Sequence, residues 1–254
     1  MDRPCGSGRC LNCKMDSPAT QLSASDMVWV ARLKSFNLWP HAVRESIVDR
    51  AIVNVECTPE EEANAWQQFC EQTKVDPEKL KAVEPNSIKM SLDDMRTLCR
   101  RLFRVEKFKD ATWGKALPAY FLKRKTGLDH VLYSILRLRD AALAQELYLR
   151  IKEGEETFAH LAIHHSNGPE SHSGGIIGPV ALGTLPPELM KLLATSTAGQ
   201  LRPPARIGEW VVITRVEKRW DAEFDDAIRR QLLQELFQLW LNGEIKRTLS
   251  PDEP

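Results

Sequence analysis

The sequence predicts an α+β protein with a helical N-terminal segment, a mixed region and a closing amphipathic helix. Three observations lead to this fold class. Apolar residues recur at three- and four-residue steps through most of residues 27–125, which is the helical period. Residues 130–138 (HVLYSILRL) and 210–218 (WVVITRVEK) are rich in β-branched and aromatic side chains and indicate strands. Residues 222–243 again repeat apolar side chains at helical spacing.

Residues 1–26 are predicted to form a flexible tail, because its last part (MDSPATQLSASD) is small and polar. Cys5, Cys10 and Cys13 have the C-x4-C-x2-C spacing of the first three ligands in a plant-type 2Fe–2S site. Thiolates bind soft metals, so zinc or iron on this tail is one hypothesis. The next cysteine, Cys57, is distant and no strand precedes the motif. These facts favour the other hypothesis, a tail with reactive thiols in a protein that requires no cofactor.

Residues 27–127 are predicted to form a helical domain of four or five helices. Thr58 precedes Pro-Glu-Glu, which is typical of a capped and acidic helix start. Ser91 and Asp94 resemble a capping box in which Asp replaces Glu. A further helix is indicated over residues 112–125 by its apolar pattern.

Residues 128–219 combine strand and helix signals. After the first predicted strand, an apolar helical pattern is interrupted by Gly154 and then resumes, which indicates two helices. A loop with three closely spaced glycines follows: Gly174, Gly175 and Gly178. A short helix over residues 186–194 and a polar loop then lead to the second predicted strand.

Composition excludes some partners. The formal net charge is zero at pH 7, so no global field attracts nucleic acid. No run approaches the roughly 18 apolar residues of a membrane span, and the N-terminus lacks the apolar core of a signal peptide. We therefore expect a cytoplasmic protein with no membrane span and no nucleic-acid partner.

Four segments occur in an order and spacing typical of one domain family. They are ILRLRDAALAQELYLRIKEGEETFAHLA, SNGPESHSGGIIG, GTLPPEL and IGEWVVITRVEK. Together they resemble the first strand and helices, the glycine loop, the Gly-Gln-Met-Val-Pro-Glu-Phe turn and the last strand of the parvulin-type peptidyl-prolyl isomerase domain. Over about residues 27–245 the chain also resembles SurA- and PpiC-like proteins. In particular it is similar to cytoplasmic cyanobacterial parvulin-like proteins, which are often encoded with peptide exporters.

The resemblance implies three parts after the tail: a SurA-like helical domain over 27–127, a parvulin-like domain over 128–219 and a C-terminal helix over 220–254 that packs back on the helical domain. The parvulin-like domain would contain a small antiparallel sheet flanked by helices. The implied activity is cis–trans isomerisation of Xaa-Pro bonds. The implied partners are proline-containing or unfolded polypeptides, together with a peptide-export system.

The resemblance also implies site positions, and this sequence departs from the family pattern at most of them. The family's first histidine falls at Tyr133 or Ser134, and its Cys or Asp falls at Asn167 or Gly168. Its second histidine is replaced by Trp210. The other substrate-binding positions are Thr184, Leu185 and Leu189. Ser134 and Asn167 are therefore the catalytic candidates, and the three glycines of the loop are expected to turn the chain beneath the substrate groove.

Two classes of function follow. The favoured one is a parvulin-like isomerase with a degenerate active site and weak turnover, because the apolar groove is kept while the family's histidines are lost. The alternative is a catalytically inactive parvulin-fold chaperone or escort for an exported peptide. A third hypothesis, with less support, is a metal- or redox-sensing adaptor that uses the cysteine tail. Leu189 fits core packing as well as a pocket role.

Overall fold

We describe residues 24–74, 76 and 90–249 from a computed structural model of the chain. The chain forms two compact units. The described residues before Val55 join those after Trp240 in one unit, and Val55–Trp240 form the other. The division predicted from the sequence, at residues 27, 128 and 220, follows other boundaries and stays a prediction.

The first unit contains two short helices, α1 (Ala24–Ser35) and α2 (Trp39–Ile52). Helix α1 starts within the last residues of the segment that composition predicts to be a tail. Helix α2 buries one apolar stripe at helical spacing: Val43, Ile47, Val48 and Ile52. In contrast, Trp29 on α1 is 61% exposed.

The second unit starts with α3 (Pro59–Thr73), α4 (Leu92–Trp113) and α5 (Leu117–Leu128). Thr58 and Ser91 both form complete capping boxes, so the helix starts predicted there are confirmed. A 3₁₀ turn, Gly114–Ala116, separates α4 from α5, whereas the sequence pattern predicts a single helix over residues 112–125. The break occurs there because Pro118 lacks the N–H that a continuous helix would need.

A four-stranded antiparallel sheet follows: β1 (His130–Leu138), β2 (Ile176–Ala181), β3 (Leu201–Ile207) and β4 (Trp210–Trp220). The strand order is β2-β1-β4-β3, so the two predicted strands, β1 and β4, form the centre. The edge strands β2 and β3 are additional to the prediction. Prolines are present in both edge strands, where a missing N–H costs least: Pro179, Pro203 and Pro204.

Helices cover both faces of the sheet. On one face α6 (Ala141–Glu153) and α7 (Phe158–His165) pack against the even-numbered residues of β1. On the other face α8 (Pro187–Ala194) packs against the odd-numbered residues. Gly154 ends α6 with a φ of 78°, as its position in the sequence predicts. The expected α+β class and the small antiparallel sheet with flanking helices are therefore confirmed.

The chain closes with α9 (Asp226–Leu249). Its residues up to Trp240 pack on α4 and α5. The buried cluster between these helices contains Leu117, Phe121, Leu128, Leu232 and Leu233. An aromatic group lies beside it, in which the Trp113 ring centroid is 6.3 Å from that of Phe237 and 6.2 Å from that of Trp240. Within the described residues, no helix combines the length and apolarity that crossing a membrane would need.

Candidate peptide-binding cleft

A cleft of about 370 Å³ opens on the face of the sheet that carries α8. Strand β1 contributes Tyr133, Ile135 and Arg137 to its lining. The turn into α8 and the helix itself contribute Leu185, Pro186 and Leu189. The remaining lining residues are Ile177, Ile207, Trp210 and Val212. The lining is therefore mainly apolar, and Arg137 is its charged member.

Four of the five residues predicted to bind substrate line this cleft: Tyr133, Leu185, Leu189 and Trp210. Leu189 and Tyr133 are also buried in the core, with 6% and 2% of their surface exposed. Thr184 is an exception, because its side chain is exposed and its hydroxyl donates to the Ala181 carbonyl at 2.7 Å. This hydrogen bond closes the short 3₁₀ turn before α8 and does not bring Thr184 to the cleft.

Side chains alternate between the two faces of β1, and this alternation decides whether Tyr133 or Ser134 faces the cleft. Tyr133 faces the cleft, whereas Ser134 is buried on the opposite face and its hydroxyl donates to Glu217 Oε1 at 2.5 Å. Arg215 also donates to Glu217 Oε1 on that face, at 2.9 Å. Neighbouring residues of a strand point to opposite sides. The structure therefore corrects the expectation that Ser134 lies in the groove.

Asn167 lies in the loop after α7 and is exposed. Its backbone N–H donates to the Arg137 carbonyl at 2.9 Å, which fixes this loop beside the end of β1. Asn167 is not among the residues that line the cleft. Its predicted catalytic role thus has no support from side-chain placement.

The three glycines of the loop adopt positive φ values of 62° at Gly174, 85° at Gly175 and 115° at Gly178. Such backbone conformations are rare for residues with a Cβ. Gly175 also approaches β1 closely: a Cβ there would lie 2.8 Å from the Ile135 carbonyl oxygen, and the Ile135 N–H donates to the Gly175 carbonyl at 2.9 Å. The glycines therefore allow the loop to pair with the strand that lines the cleft.

Sequence reasoning missed a polar group at the end of β1. The Glu170 side chain is completely buried, and its Oε1 accepts a 2.6 Å hydrogen bond from the Ser166 hydroxyl. Arg137 Nε lies 3.5 Å from the same oxygen. A period of two from Tyr133 along the strand could have identified Arg137 as a cleft residue. No sequence signal distinguishes Glu170 from an exposed loop carboxylate, because its burial depends on tertiary structure.

Burial raises the pKa of the Tyr133 hydroxyl, while the nearby charges of Arg137 and Glu170 lower and raise it respectively. Tyr133 therefore remains a neutral phenol at physiological pH. Within the described part of the chain its hydroxyl has no hydrogen-bond partner, although it lies in the lining of the cleft. It is available as a hydrogen-bond donor to a ligand.

No histidine lines the cleft. The chain has six histidines in total. His160, for example, lies on α7, where its Nδ1 is 2.6 Å from Glu156 Oε2. The cleft thus offers apolar contact, a phenol and a guanidinium, and it lacks a side chain that changes its protonation state near neutral pH.

Residues 137–218 match the family described as Rotamase: PPIC-type PPIASE domain. This part of the chain is therefore a PpiC-type domain of the parvulin class, the class of peptidyl-prolyl isomerases that the sequence resemblance predicts. Eight of the ten cleft-lining residues lie within the matched range, and Tyr133 and Ile135 lie just before it.

Several solved structures are similar to this chain. Peptidylprolyl isomerase PrsA from Bacillus cereus is 18% identical, with 92% of this chain and 89% of that chain covered and a TM-score of 0.48. The parvulin domain of PpiD from E. coli is 24% identical, with 39% and 95% covered and a TM-score of 0.34. One of two SurA-like chaperones from Campylobacter jejuni is 14% identical, with 92% and 86% covered and a TM-score of 0.35. No curated protein sequence matches this chain.

The cysteines predicted as a metal site, Cys5, Cys10 and Cys13, lie outside the described residues. Zinc or iron binding by them stays a prediction. Across the described ranges, no three or more His, Cys, Asp or Glu side chains are grouped to hold a metal ion.

Proposed function

We propose that the parvulin-type domain binds a proline-containing segment of a polypeptide in its cleft and accelerates cis–trans isomerisation of the Xaa-Pro bond weakly. The observation that carries this proposal is the convergence of Tyr133, Leu185 and Trp210 on one apolar cleft within a PpiC-type domain. A cleft of about 370 Å³ is large enough for a proline ring and its neighbours.

The reaction breaks no covalent bond. The barrier of roughly 18–20 kcal/mol arises because the amide loses its resonance when it twists. Apolar walls hold the proline ring and remove water from the amide, which favours the less polar twisted form. The indole of Trp210 supplies a flat surface for the ring, and Leu185 and Leu189 supply the opposing apolar contacts.

We expect weak turnover because the cleft lining lacks the two histidines that the family resemblance implies. The family resemblance implies two histidines, and this sequence has Tyr133 and Trp210 near those positions. With fewer polar groups directed at the amide, less of the barrier reduction can come from electrostatic stabilisation, which is usually the largest contribution. Binding and desolvation therefore carry most of the proposed catalysis.

The test is an isomerisation assay by exchange NMR on a panel of Xaa-Pro peptides. Trp210→Ala removes a cleft wall and is expected to lower kcat/KM about tenfold or more, which corresponds to about 1.4 kcal/mol of lost binding to the transition state. Trp220→Ala is the matched control, because Trp220 lies at the exposed end of the same strand and is 39% exposed. Equal activity of the two variants would contradict the assignment of the cleft.

A second candidate is a chaperone or escort that binds chains without isomerising them. The absence of histidine from the lining favours it, since apolar binding survives without polar catalysis. The two functions differ in one measurement. Calorimetric binding of the same peptides, with no acceleration by the wild-type protein, would identify the chaperone.

The client and the location are part of the same proposal. We propose an exported peptide or an unfolded protein as the client and the cytoplasm as the site of action. Both rest on the sequence resemblance to cytoplasmic cyanobacterial proteins encoded with peptide exporters. Cell fractionation with an antibody against the protein tests the location, and cross-linking of the intact protein in cells tests the client.

A further inference from the structure

The Glu170 carboxylate is buried beside Gly168. A Cβ at Gly168 would lie 2.1 Å from Glu170 Oε2 and 2.4 Å from Oε1, so a side chain at position 168 would require this carboxylate to move. The side chain has no exposed surface, and Oε2 has no hydrogen-bond partner within the described residues. Burying a carboxylate is costly unless it is compensated.

The compensation comes from two groups. The Ser166 hydroxyl donates to Glu170 Oε1 at 2.6 Å and also accepts a 3.0 Å hydrogen bond from the Arg137 N–H. The guanidinium of Arg137 supplies the opposite charge, with Nε 3.5 Å from Oε1. Ser166 thus connects the buried Glu170 carboxylate to the end of β1. The carboxylate also attracts the Nε edge of the Arg137 guanidinium.

The terminal nitrogens of the Arg137 guanidinium are available to donate hydrogen bonds to a ligand in the cleft. The Arg137 side chain is 30% exposed and lines the cleft, on the same strand face as Tyr133 and Ile135. Within the described residues the guanidinium makes no hydrogen bond that would occupy its terminal nitrogens. Guanidinium presents several donors in a fixed plane, so holding one edge also orients the rest.

We propose that Arg137 donates a hydrogen bond to the nitrogen of the bound proline as the amide twists, and that Glu170 is the positioning residue that holds Arg137 for this contact. This inference rests on the proposed function. In the planar amide the nitrogen lone pair is delocalised into the carbonyl and accepts poorly. Twisting returns the lone pair to nitrogen, so the hydrogen bond strengthens in the transition state. An interaction of that kind raises kcat and leaves KM nearly unchanged.

The experiment separates kcat from KM for the full-length protein, by exchange NMR line shapes over a range of Xaa-Pro peptide concentrations. Arg137→Met removes the donors and keeps an unbranched apolar chain. Glu170→Gln keeps the shape beside Gly168 and the acceptor for Ser166, and removes the charge that holds Arg137. We expect each variant to lower kcat about tenfold with KM nearly unchanged. The controls are Arg206→Met on β3 and Glu146→Gln on α6, both expected to keep wild-type kinetics.

The kcat of the double variant distinguishes a positioning role of Glu170 from a purely structural one. If Glu170 acts through Arg137, then Glu170→Gln has no further effect on kcat in the Arg137→Met background. Additive losses, an unchanged kcat in Arg137→Met, or a loss in KM alone would each overturn the inference. Arg137→Lys, which keeps a charge and donors, is expected to retain part of the lost rate. This comparison with Arg137→Met decides the role of Arg137 even if Glu170→Gln fails to fold.

The two proposals fail differently. A wild-type protein that does not accelerate isomerisation overturns both. A wild-type protein that accelerates it, with Trp210→Ala impaired and Arg137→Met unaffected, keeps the proposed function and overturns only the role of Arg137 and Glu170.

Discussion

The hydroxyl of Tyr120 donates a 2.6 Å hydrogen bond to Glu235 Oε1 and joins α5 to α9. The same carboxylate accepts from Arg124 Nη2 at 3.2 Å through its other oxygen. Burial, and to a smaller extent the hydrogen bond to Glu235, raises the pKa of Tyr120. This polar group lies beside the apolar contact of the two helices, where Phe121 and Leu232 are buried. The closing helix is therefore fixed to α5 by both kinds of interaction.

Replacement of Tyr120 by Phe is expected to lower the free energy of unfolding by about 1 kcal/mol, since the ring stays packed and only the hydrogen bond to the carboxylate is lost. Urea unfolding measures this change. The matched control is Tyr148→Phe on α6, whose hydroxyl has no hydrogen bond among the described residues. A loss of equal size in the control would show that the hydroxyl of Tyr120 contributes nothing specific.

Deletion of residues 222–254 removes α9 completely. We expect the shortened chain to aggregate, because Leu117, Phe121 and Leu128 would then be exposed as one apolar patch. Size-exclusion chromatography with light scattering measures the outcome. The control deletion removes residues 250–254 and leaves α9 in place. A soluble chain lacking residues 222–254 that unfolds cooperatively would show that α9 is dispensable for this surface.

The helices and the central strands could be predicted from the sequence because their signals are local. A capping pair such as Ser91 and Asp94 involves residues three apart, and it forms as the pattern indicates. The edge strands could not be predicted in this way. Strand β3 contains adjacent prolines and β2 contains a glycine and a proline, and these residues indicate loops when they are considered alone. Only pairing with β1 and β4 makes them strands.

The site was predictable only in part, because some of its residues are placed by strand pairing and packing, which leave no local signal in the sequence. The apolar positions Leu185, Leu189 and Trp210 follow from family resemblance and line the cleft. Tyr133 and Ser134 stayed alternatives in the sequence because a one-residue shift in the alignment to the family motif changes which of the two faces the groove. In the structure Val131, Tyr133 and Ile135 share one face of β1, so Tyr133 lies in the cleft and Ser134 on the opposite face. Glu170 required knowledge of which loop residues are buried.

The close approach of the glycine loop to β1 predicts a large cost for a side chain at Gly175. A Cβ there would lie 2.8 Å from the Ile135 carbonyl oxygen and 3.0 Å from Ala162 Cβ, with a φ of 85°. We expect Gly175→Ala to destabilise the protein by about 2 kcal/mol or more, through strain and steric overlap together. Chemical denaturation measures the change in the free energy of unfolding.

Gly199 provides the control for this variant. Its φ is 79°, but no atom lies within 4 Å of the position that a Cβ would occupy. Gly199→Ala should therefore cost only the backbone strain, about 1 kcal/mol. If the two variants were equally destabilised, the backbone conformation alone would explain the glycine at position 175, and the approach to β1 would not matter.

The link between α3 and α4 makes part of the stability dependent on pH. Lys107 Nζ donates to Glu61 Oε1 at 2.8 Å and to Oε2 at 2.7 Å, and the Thr58 N–H donates to Oε2 at 2.9 Å. The hydrogen bond from Lys107 and then that from the Thr58 backbone hold the pKa of Glu61 below its ordinary value of 4.5. A carboxyl whose pKa is lower in the folded state stabilises the fold above the unfolded pKa. That stabilisation is lost as the pH falls through the folded pKa.

Glu61→Gln tests this directly, because the amide can still accept the Thr58 N–H while it has no charge for Lys107. We expect the variant to have a lower Tm than the wild type near neutral pH, and we expect the difference to shrink as the pH falls below the ordinary pKa of 4.5. Calorimetric scans at a series of pH values measure it. Glu71→Gln on the same helix is the control, since Glu71 accepts from the neutral Gln67 at 3.1 Å. A Tm difference for Glu61→Gln that stays constant into acid would mean that the charge of Glu61 does not stabilise the link between α3 and α4.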